Sequence, residues 1–274
     1  MMKQGPIGVF DSGYGGLTVF KEIVQRLPQY NYIYLGDNAR VPYGTRSFET
    51  VYRYTWECVQ QLFALDCNLV VLACNTASAK ALRTIQQNDL PLYDPFRRVL
   101  GVIRPTAEVI GQYTRTGKVG ILATQGTVSS ESYVIEIHKF FPEIQVYQEA
   151  CPLWVPLIEN NEFRTPGAEY FIRKDLENLF AKSPDIDTVV LACTHYPLLK
   201  DIILKYLPGG VNLISQGELI ADSLADYLER HSDLRACCSL GDSRQFYTTG
   251  AVPEFDEKAS LFLGSAVQSA PLLL

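Results

Sequence analysis

Short apolar runs alternate with amphipathic segments along the chain. The first run, Ile7 to Phe10, is followed by a glycine-rich turn and by a segment, Leu17 to Arg26, in which apolar residues recur every three or four positions. An apolar run bounded by turn residues predicts a buried strand, and this recurrence predicts an amphipathic helix. The chain therefore begins with a strand-helix unit, which is typical of parallel α/β sheets.

The same alternation continues to the end of the chain. Further strands are predicted at 32–35, 70–73, 99–103, 118–122, 145–150, 189–192, 211–214 and 245–249. Helices are predicted from a Ser47 cap to about residue 65, from Cys74 to about residue 88, and at 105–113, 133–140, 167–180, 218–228 and 255–263. This order of elements indicates an α/β protein.

Two prolines interrupt the pattern within residues 88–95, and a fresh strand-helix series follows them. We therefore expect a first domain made of residues 1–97 and 213–274, and a second made of residues 98–212. The last strand and helix are too short for a core of their own, so they are expected to complete the first sheet. The predicted fold has two similar parallel-sheet α/β domains, related by a pseudo-twofold axis, that face each other across a central cleft.

One short sequence occurs almost twice. Val70-Val71-Leu72-Ala73-Cys74 returns 119 residues later as Val189-Val190-Leu191-Ala192-Cys193. Each copy predicts a strand buried on both faces, and ligands of open parallel sheets bind just beyond the carboxyl ends of such strands. A free cysteine is usually a small buried hydrophobe. The repeat and the hydrogen-bonding residues after both copies nevertheless favour a pair of functional thiols, one from each half.

Three residues are candidates to assist these thiols. Asp11 follows the first strand, His195 stands two residues after Cys193, and Glu149 ends the strand 145–150. A carboxylate or an imidazole beside a thiol can accept its proton or hold its partner in position. Each candidate also has a structural interpretation: Asp11 can cap its own turn, His195 can be a buried structural histidine, and Glu149 can be a surface residue.

The glycine-rich turn permits a nucleotide-binding interpretation. Gly13 and Gly15 match the first two glycines of G-x-G-x-x-G, but Thr18 stands at the third, and Asp11 places a negative charge where a pyrophosphate needs a positive one. Nicotinamide binding is therefore kept only as an alternative. No lysine lies at the strand-end turn of either copy, which argues against pyridoxal phosphate, and no cofactor is expected.

Composition argues against several other classes. A net charge of −6 without a run of Lys or Arg gives no basic surface for nucleic acid. No apolar run has the length of a signal-peptide core or a membrane span, so a cytoplasmic protein without membrane contact is expected. The seven cysteines form no Cys-x-x-Cys pair, and His138 and His231 lack metal-ligand spacing, so neither disulfides nor a metal are expected. Four cysteines are predicted to be structural: Cys58, Cys67, Cys237 and Cys238.

Several motifs in combination resemble the cofactor-independent glutamate racemases of the aspartate/glutamate racemase family, along essentially the whole chain. The matching stretches are Ile7-Gly8-Val9-Phe10-Asp11-Ser12-Gly13, Gly15-Gly16-Leu17-Thr18-Val19, Gly36-Asp37, Ala39-Arg40-Val41-Pro42-Tyr43-Gly44, Ala73-Cys74-Asn75-Thr76-Ala77 and Ala192-Cys193-Thr194-His195-Tyr196-Pro197. Tyr14 and Asn38 stand where other residues are expected, which bears on fine geometry and not on the reaction.

The resemblance implies that Cys74 and Cys193 are an acid/base pair assisted by Asp11, Glu149 and His195. It implies an amino-acid site lined by Asp11, Ser12, Tyr43, Gly44, Asn75, Thr76, Thr194 and His195, with Thr124 and Thr127 as further anion contacts. It also implies that the protein supplies D-glutamate for peptidoglycan. The expected partners are L- and D-glutamate, and a homodimer is expected.

Two thiols on opposite walls suit inversion of an α-carbon, because one removes a proton while the other delivers one to the opposite face. One thiol must then be ionised and the other protonated, which is plausible for groups with an ordinary pKa of about 8.5 and different neighbours. Racemisation of aspartate is the alternative within this fold. A non-catalytic, two-lobed amino-acid-binding protein is the alternative from another class.

Overall fold

A computed structural model describes residues 3–274, in which the strands form two separate parallel sheets. The strands are β1 (Ile7–Asp11), β2 (Tyr32–Gly36), β3 (Leu69–Leu72), β4 (Arg98–Gly101), β5 (Lys118–Ala123), β6 (Gln145–Ala150), β7 (Thr188–Ala192), β8 (Asn212–Ser215), β9 (Arg244–Thr248) and β10 (Ser269–Pro271). The first sheet has six strands in the order β10-β9-β2-β1-β3-β4, and the second has four in the order β6-β5-β7-β8.

Helices connect most of these strands. They are α1 (Leu17–Arg26), α2 (Phe48–Ala64), α3 (Asn75–Lys80), α4 (Leu82–Thr84), α5 (Leu90–Tyr93), α6 (Ile103–Val109), α7 (Gln125–Ser129), α8 (Ser132–Phe140), α9 (Trp154–Glu159), α10 (Pro166–Lys182), α11 (Lys200–Tyr206), α12 (Gly217–Arg230), α13 (Ser232–Ala236) and α14 (Val252–Leu263). A π-helical turn, Ile85–Asp89, joins α4 to α5, so the single helix predicted after Cys74 is a series of short segments. Along residues 3–274, no helix combines the length and apolar character that crossing a membrane requires.

Local sequence signals account for the main elements. Ser47 begins α2 as predicted, because its hydroxyl accepts a hydrogen bond from the Thr50 N–H at 3.2 Å. Helix α1 turns Leu17, Phe20 and Ile23 into the core, which satisfies its amphipathic pattern. Strands β3 and β7 are buried on both faces, as their continuous apolar runs predict.

The two sheets repeat one arrangement. The order β2-β1-β3-β4 in the first sheet corresponds to β6-β5-β7-β8 in the second. The repeated Val-Val-Leu strand takes the same place in each half: β3 pairs with β1, and β7 pairs with β5. This arrangement confirms the prediction of two similar parallel-sheet α/β domains facing a central cleft, with both cysteines at strand ends that border it.

One strand belongs to a different sheet than the sequence predicts. Strand β4, expected to start the second series, pairs with β3 in the first sheet. Strand β8 pairs with β7 in the second sheet, which continues the second series. The chain therefore leaves the first sheet after Gly101 and returns after Ser215. The crossing predicted at the two prolines is wrong, because Pro91 fits the first turn of α5, where its missing N–H is no loss. The limits 1–97 plus 213–274 and 98–212 otherwise stay a prediction.

The C-terminal part of the chain completes the first sheet, as predicted. Strand β9 pairs with β2, and β10 then pairs with β9, which widens the first sheet from four strands to six. Helix α14 returns to pack against α1. Its aromatic residue Phe262 lies 5.2 Å, centroid to centroid, from the ring of His195, so this terminal helix also supports the cleft.

Candidate active site

The cleft between the two sheets is lined by both halves of the chain. Its cavity has a volume of about 80 Å³. Its walls are formed by Ser12, Val41, Pro42, Tyr43, Gly44, Thr45, Cys74, Asn75, Thr76, Thr124, Gln125, Cys151, Pro152, Val155, Pro156, Glu159, Cys193, Thr194 and His195. The structure therefore brings together the predicted lining residues, except that Asp11 and Thr127 are fully buried and lie beneath the surface of the cleft.

Cys74 stands where β3 passes into α3. Its sulfur accepts a hydrogen bond from the Ala77 N–H at 3.4 Å and donates one to the Ser12 hydroxyl at 3.5 Å. Burial raises the pKa of the Cys74 thiol to about 12, and the nearby charge of Asp11 adds to this shift. Cys74 is therefore a protonated thiol near neutral pH, which suits a proton donor.

Cys193 faces a different partner. Its sulfur lies 3.9 Å from His195 Nδ1, and His195 Nε2 lies 3.0 Å from a carboxylate oxygen of Glu159. Burial lowers the pKa of His195, but the hydrogen bonds to Cys193 and Glu159 outweigh it and raise the pKa to about 10. A protonated His195 places a positive charge beside the Cys193 sulfur, an arrangement that suits a proton-accepting thiol.

Asp11 connects the two halves from below the cleft. Its carboxylate accepts a hydrogen bond from the Gly13 N–H at 2.9 Å and one from the Thr194 hydroxyl at 3.4 Å. Burial raises the pKa of Asp11, whereas the positive charge of His195 lowers it. A side chain at Gly15 would collide with Thr194 and His195, so the glycine-rich turn serves close packing beneath the second thiol.

Glu149 does not reach the thiols. Its carboxylate pairs with Lys182 at 2.6 Å and accepts a hydrogen bond from Asn178 at 3.2 Å, both on α10. The acidic partner of His195 is instead Glu159, the last residue of α9. The sequence gives no signal for this role, because Glu159 reaches His195 only through tertiary packing across 36 positions of the chain.

Hydroxyl groups form one end of the cleft. The hydroxyl of Thr76 lies 2.9 Å from that of Thr124 and 3.4 Å from that of Thr127, and the last two are 3.2 Å apart. Thr124 also caps α7 by accepting a hydrogen bond from the Thr127 N–H. Among the described residues that line the cleft, none is Lys or Arg. Hydroxyl and amide groups are therefore the donors available there for a carboxylate.

The loop after β2 closes the same end. The Tyr43 hydroxyl donates to Asp37 at 2.5 Å, so this tyrosine presents its ring and backbone to the cleft. The Gly44 carbonyl accepts a hydrogen bond from the Gly126 N–H at 2.8 Å, which joins the two halves directly. The loop thus serves as a wall that links both sheets.

The remaining residues singled out in the sequence lie outside the thiol pair. Tyr14 packs against Phe255 and Phe262 on α14, and the Asn38 side chain accepts a hydrogen bond from Thr248 at 3.1 Å. Three of the four cysteines predicted to be structural are buried away from the cleft, namely Cys58, Cys67 and Cys238, and Cys237 is half-buried. Cys151, in contrast, lines the cleft at the end of β6.

The facing thiols have chemically different environments. A protonated thiol with a hydroxyl partner stands on one wall, and a thiol with an imidazole-carboxylate pair stands on the other. Such a site can withdraw a proton from one face of a carbon and supply one to the opposite face. The fold and the site together define a two-domain α/β protein whose cleft carries groups suited to acid/base chemistry.

Comparison with known proteins narrows this class. The family model for Asp/Glu/Hydantoin racemase matches residues 7–224. The chain is 39% identical over 270 residues to a glutamate racemase of Persephonella marina, covering 98% of this chain and 97% of that protein.

Two solved structures that resemble this chain are also glutamate racemases. A glutamate racemase isoform from Bacillus anthracis matches with a TM-score of 0.89 and 35% identity, covering 99% of this chain and 98% of that one. A glutamate racemase from Francisella tularensis in complex with D-glutamate matches with a TM-score of 0.86 and 30% identity, covering 99% and 97%. The chain belongs to the aspartate/glutamate racemase family, a family of isomerases, which confirms the family and the enzyme class predicted from its motifs.

Proposed function

We propose that this protein interconverts L- and D-glutamate without a cofactor, using Cys74 and Cys193 as the two acid/base groups. The observation that carries the proposal is the Cys193–His195–Glu159 chain facing a protonated Cys74 across one cleft. The relatives named above are glutamate racemases, and one of them was solved with D-glutamate. Both findings support glutamate as the substrate.

In the proposed reaction, the Cys193 thiolate removes the α-proton of L-glutamate, and Cys74 delivers its own proton to the opposite face of the carbon. Cys74 is then the thiolate and Cys193 the thiol, and D-glutamate has formed. The reverse reaction uses the same groups with exchanged roles, as microscopic reversibility requires. The positive charge of His195 stabilises the thiolate of Cys193 before the reaction, and Asp11 lies close enough to influence Cys74.

The α-proton of an amino acid is a very weak acid, so the cleft must stabilise the carbanion-like state. Hydroxyl donors at Thr76, Thr124 and Thr194, with the amide of Asn75, are the groups we assign to the substrate carboxylates. Donors fixed in a small cavity that excludes water stabilise developing charge more strongly than bulk solvent does.

Circular dichroism of L-glutamate incubated with the purified protein and no cofactor tests the proposal. We expect the signal to decay to zero as the two enantiomers equalise. Binding of glutamate without decay would support the two-lobed binding protein instead, and a requirement for pyridoxal phosphate or nicotinamide would overturn the cofactor-free reaction. L-Aspartate assayed in parallel decides between the two racemase substrates.

The biological role, the oligomeric state and the cellular location of the protein go beyond the reaction itself. Supply of D-glutamate for peptidoglycan follows from the proposed reaction, because that polymer contains this enantiomer. The homodimer and the cytoplasmic location stay predictions from the sequence. A strain that depends on added D-glutamate after loss of the gene would support the role in the cell wall, and growth without D-glutamate would argue against it.

A further inference from the structure

Both crossings of the chain between the sheets meet in one buried cluster of side chains. The first crossing runs from β4 through Val102 into α6, and the second runs from β8 through Gln216 into α12. The Gln216 amide nitrogen donates to the Thr106 hydroxyl on α6 at 2.7 Å and lies 3.4 Å from the Val102 carbonyl oxygen. Gln216 therefore ties the two connecting segments together.

The same glutamine reaches the wall of the cleft. Its oxygen accepts a hydrogen bond from the Asn75 amide at 3.0 Å. The Tyr133 hydroxyl donates to the Asn75 oxygen at 2.6 Å and accepts from the Gln216 nitrogen at 2.6 Å. The three side chains form a closed ring of donors and acceptors. The Val102 carbonyl beside the Gln216 nitrogen favours this orientation of the amides, because the reversed ring would place the Gln216 oxygen against the carbonyl oxygen.

This ring of three side chains lies where it can set the orientation of a bound substrate. Asn75, Gln216, Tyr133 and Thr106 are all buried, so a broken hydrogen bond there is not replaced by bulk water. Asn75 directly follows Cys74 and lines the cleft. Within residues 3–274, its amide nitrogen makes the single hydrogen bond to Gln216, which leaves one N–H for a ligand.

We infer that Gln216 and Tyr133 are positioning residues, which orient the Asn75 amide toward the substrate and align the Cys74 wall with the Cys193 wall. The inference rests on the proposed racemase function. Because the ring joins the wall of the cleft to both crossings, a change in the angle between the sheets moves the Asn75 donor. Domain position and substrate orientation are thereby coupled through three side chains.

Tyr133→Phe tests the inference, because it removes one hydroxyl without changing the shape of the core. We expect the KM for both enantiomers to rise about tenfold, as for one lost hydrogen bond, while kcat changes less. Thr106→Val should raise KM in the same way, whereas Thr106→Ser, which keeps the hydroxyl, should restore it. Tyr32→Phe is the matched control, since the buried Tyr32 hydroxyl donates to the Leu27 carbonyl at 2.8 Å, away from the cleft. This control should lower the melting temperature but leave KM unchanged.

A double-mutant cycle separates positioning from simple stabilisation. In an Asn75→Ala background, Tyr133→Phe should have almost no further effect on kcat/KM, since its target is already gone. Fully additive losses, or a Tyr133→Phe variant that loses stability but keeps the KM of the parent protein, would overturn the inference. If the parent protein does not racemise glutamate, the proposed function fails by itself. The Kd of glutamate, measured by calorimetry on the same variants, then replaces KM.

Discussion

Glu159→Gln keeps the size of the side chain but removes the charge of one of the two partners, Cys193 and Glu159, that raise the pKa of His195. The Glu159 carboxylate lies 3.0 Å from His195 Nε2, and the two side chains are 18% and 5% exposed. A hydrogen bond to a charged partner contributes about 1.5–3 kcal/mol, and about 1.4 kcal/mol corresponds to one unit of pKa. The pKa of His195, about 10 in the intact protein, should therefore fall by roughly one to two units in the variant.

Because His195 is protonated less readily in the variant, we expect a higher barrier for proton removal by Cys193. The same energy corresponds to a roughly 10- to 100-fold loss of kcat/KM. This loss must be equal in both directions, because the equilibrium constant between enantiomers is one. The deuterium isotope effects on kcat/KM instead show which proton-transfer step is slowed, the one at Cys193 or the one at Cys74. With α-deuterated L-glutamate the effect should grow, since the Cys193 step becomes limiting, and with α-deuterated D-glutamate it should shrink toward one.

The assay measures initial rates by circular dichroism with protiated and α-deuterated forms of both enantiomers. Glu149→Gln is the matched control, because it makes the same chemical change at the carboxylate paired with Lys182 outside the cleft. This control should leave both isotope effects unchanged. Equal isotope effects in Glu159→Gln, or a larger change in Glu149→Gln, would refute the assignment of Glu159 to the Cys193 side.

Three further results are expected. Cys74→Ala and Cys193→Ala should each abolish racemisation in both directions, measured by circular dichroism, and substantial residual activity in either would contradict the two-thiol mechanism. Thr76→Ala and Thr194→Ala should each cost about 1–3 kcal/mol in kcat/KM without unfolding the protein, and near-parental kinetics in both would remove these residues from the site. The pKa of His195 is raised from 6.5 to about 10, so its stabilising contribution is complete below pH 6.5 and is lost as pH rises toward 10. In urea titrations, the stability difference between the protein and His195→Asn should shrink over that range, and a constant difference would contradict the ion pair.

Local patterns in the sequence were sufficient to predict the strand ends that carry the thiols. Val70 to Leu72 and Val189 to Leu191 are continuous apolar runs, and such runs predict strands buried on both faces. The pattern does not specify which strand lies beside which, because each strand of a parallel sheet has the same apolar character. Strand β4 was therefore assigned to the wrong sheet, although its existence was predicted.

The residues around the thiols also fall into two groups, those that the local sequence predicts and those that only tertiary contacts reveal. Asp11 and His195 lie within two residues of a strand end or a cysteine, so sequence proximity predicted them. Glu159, Gln216 and Tyr133 act through contacts between distant segments, and no local pattern distinguishes them from ordinary helix or loop residues. Glu149 was predicted because it ends a strand, but its side chain projects toward α10, where Lys182 neutralises it.

In the proposed two-thiol reaction, the form in which the free enzyme leaves each turnover depends on the enantiomer that it last converted. The proton lies on Cys74 before L-glutamate is converted and on Cys193 after D-glutamate has formed. These are two free forms, and their energies differ because Cys74 has a hydroxyl beside it whereas Cys193 has an imidazolium. The unequal forms cannot shift the equilibrium between enantiomers. In the proposed reaction, each cycle in one direction ends in a form that must exchange its proton before the cycle can repeat, so we expect this exchange to contribute to the rate at saturating substrate.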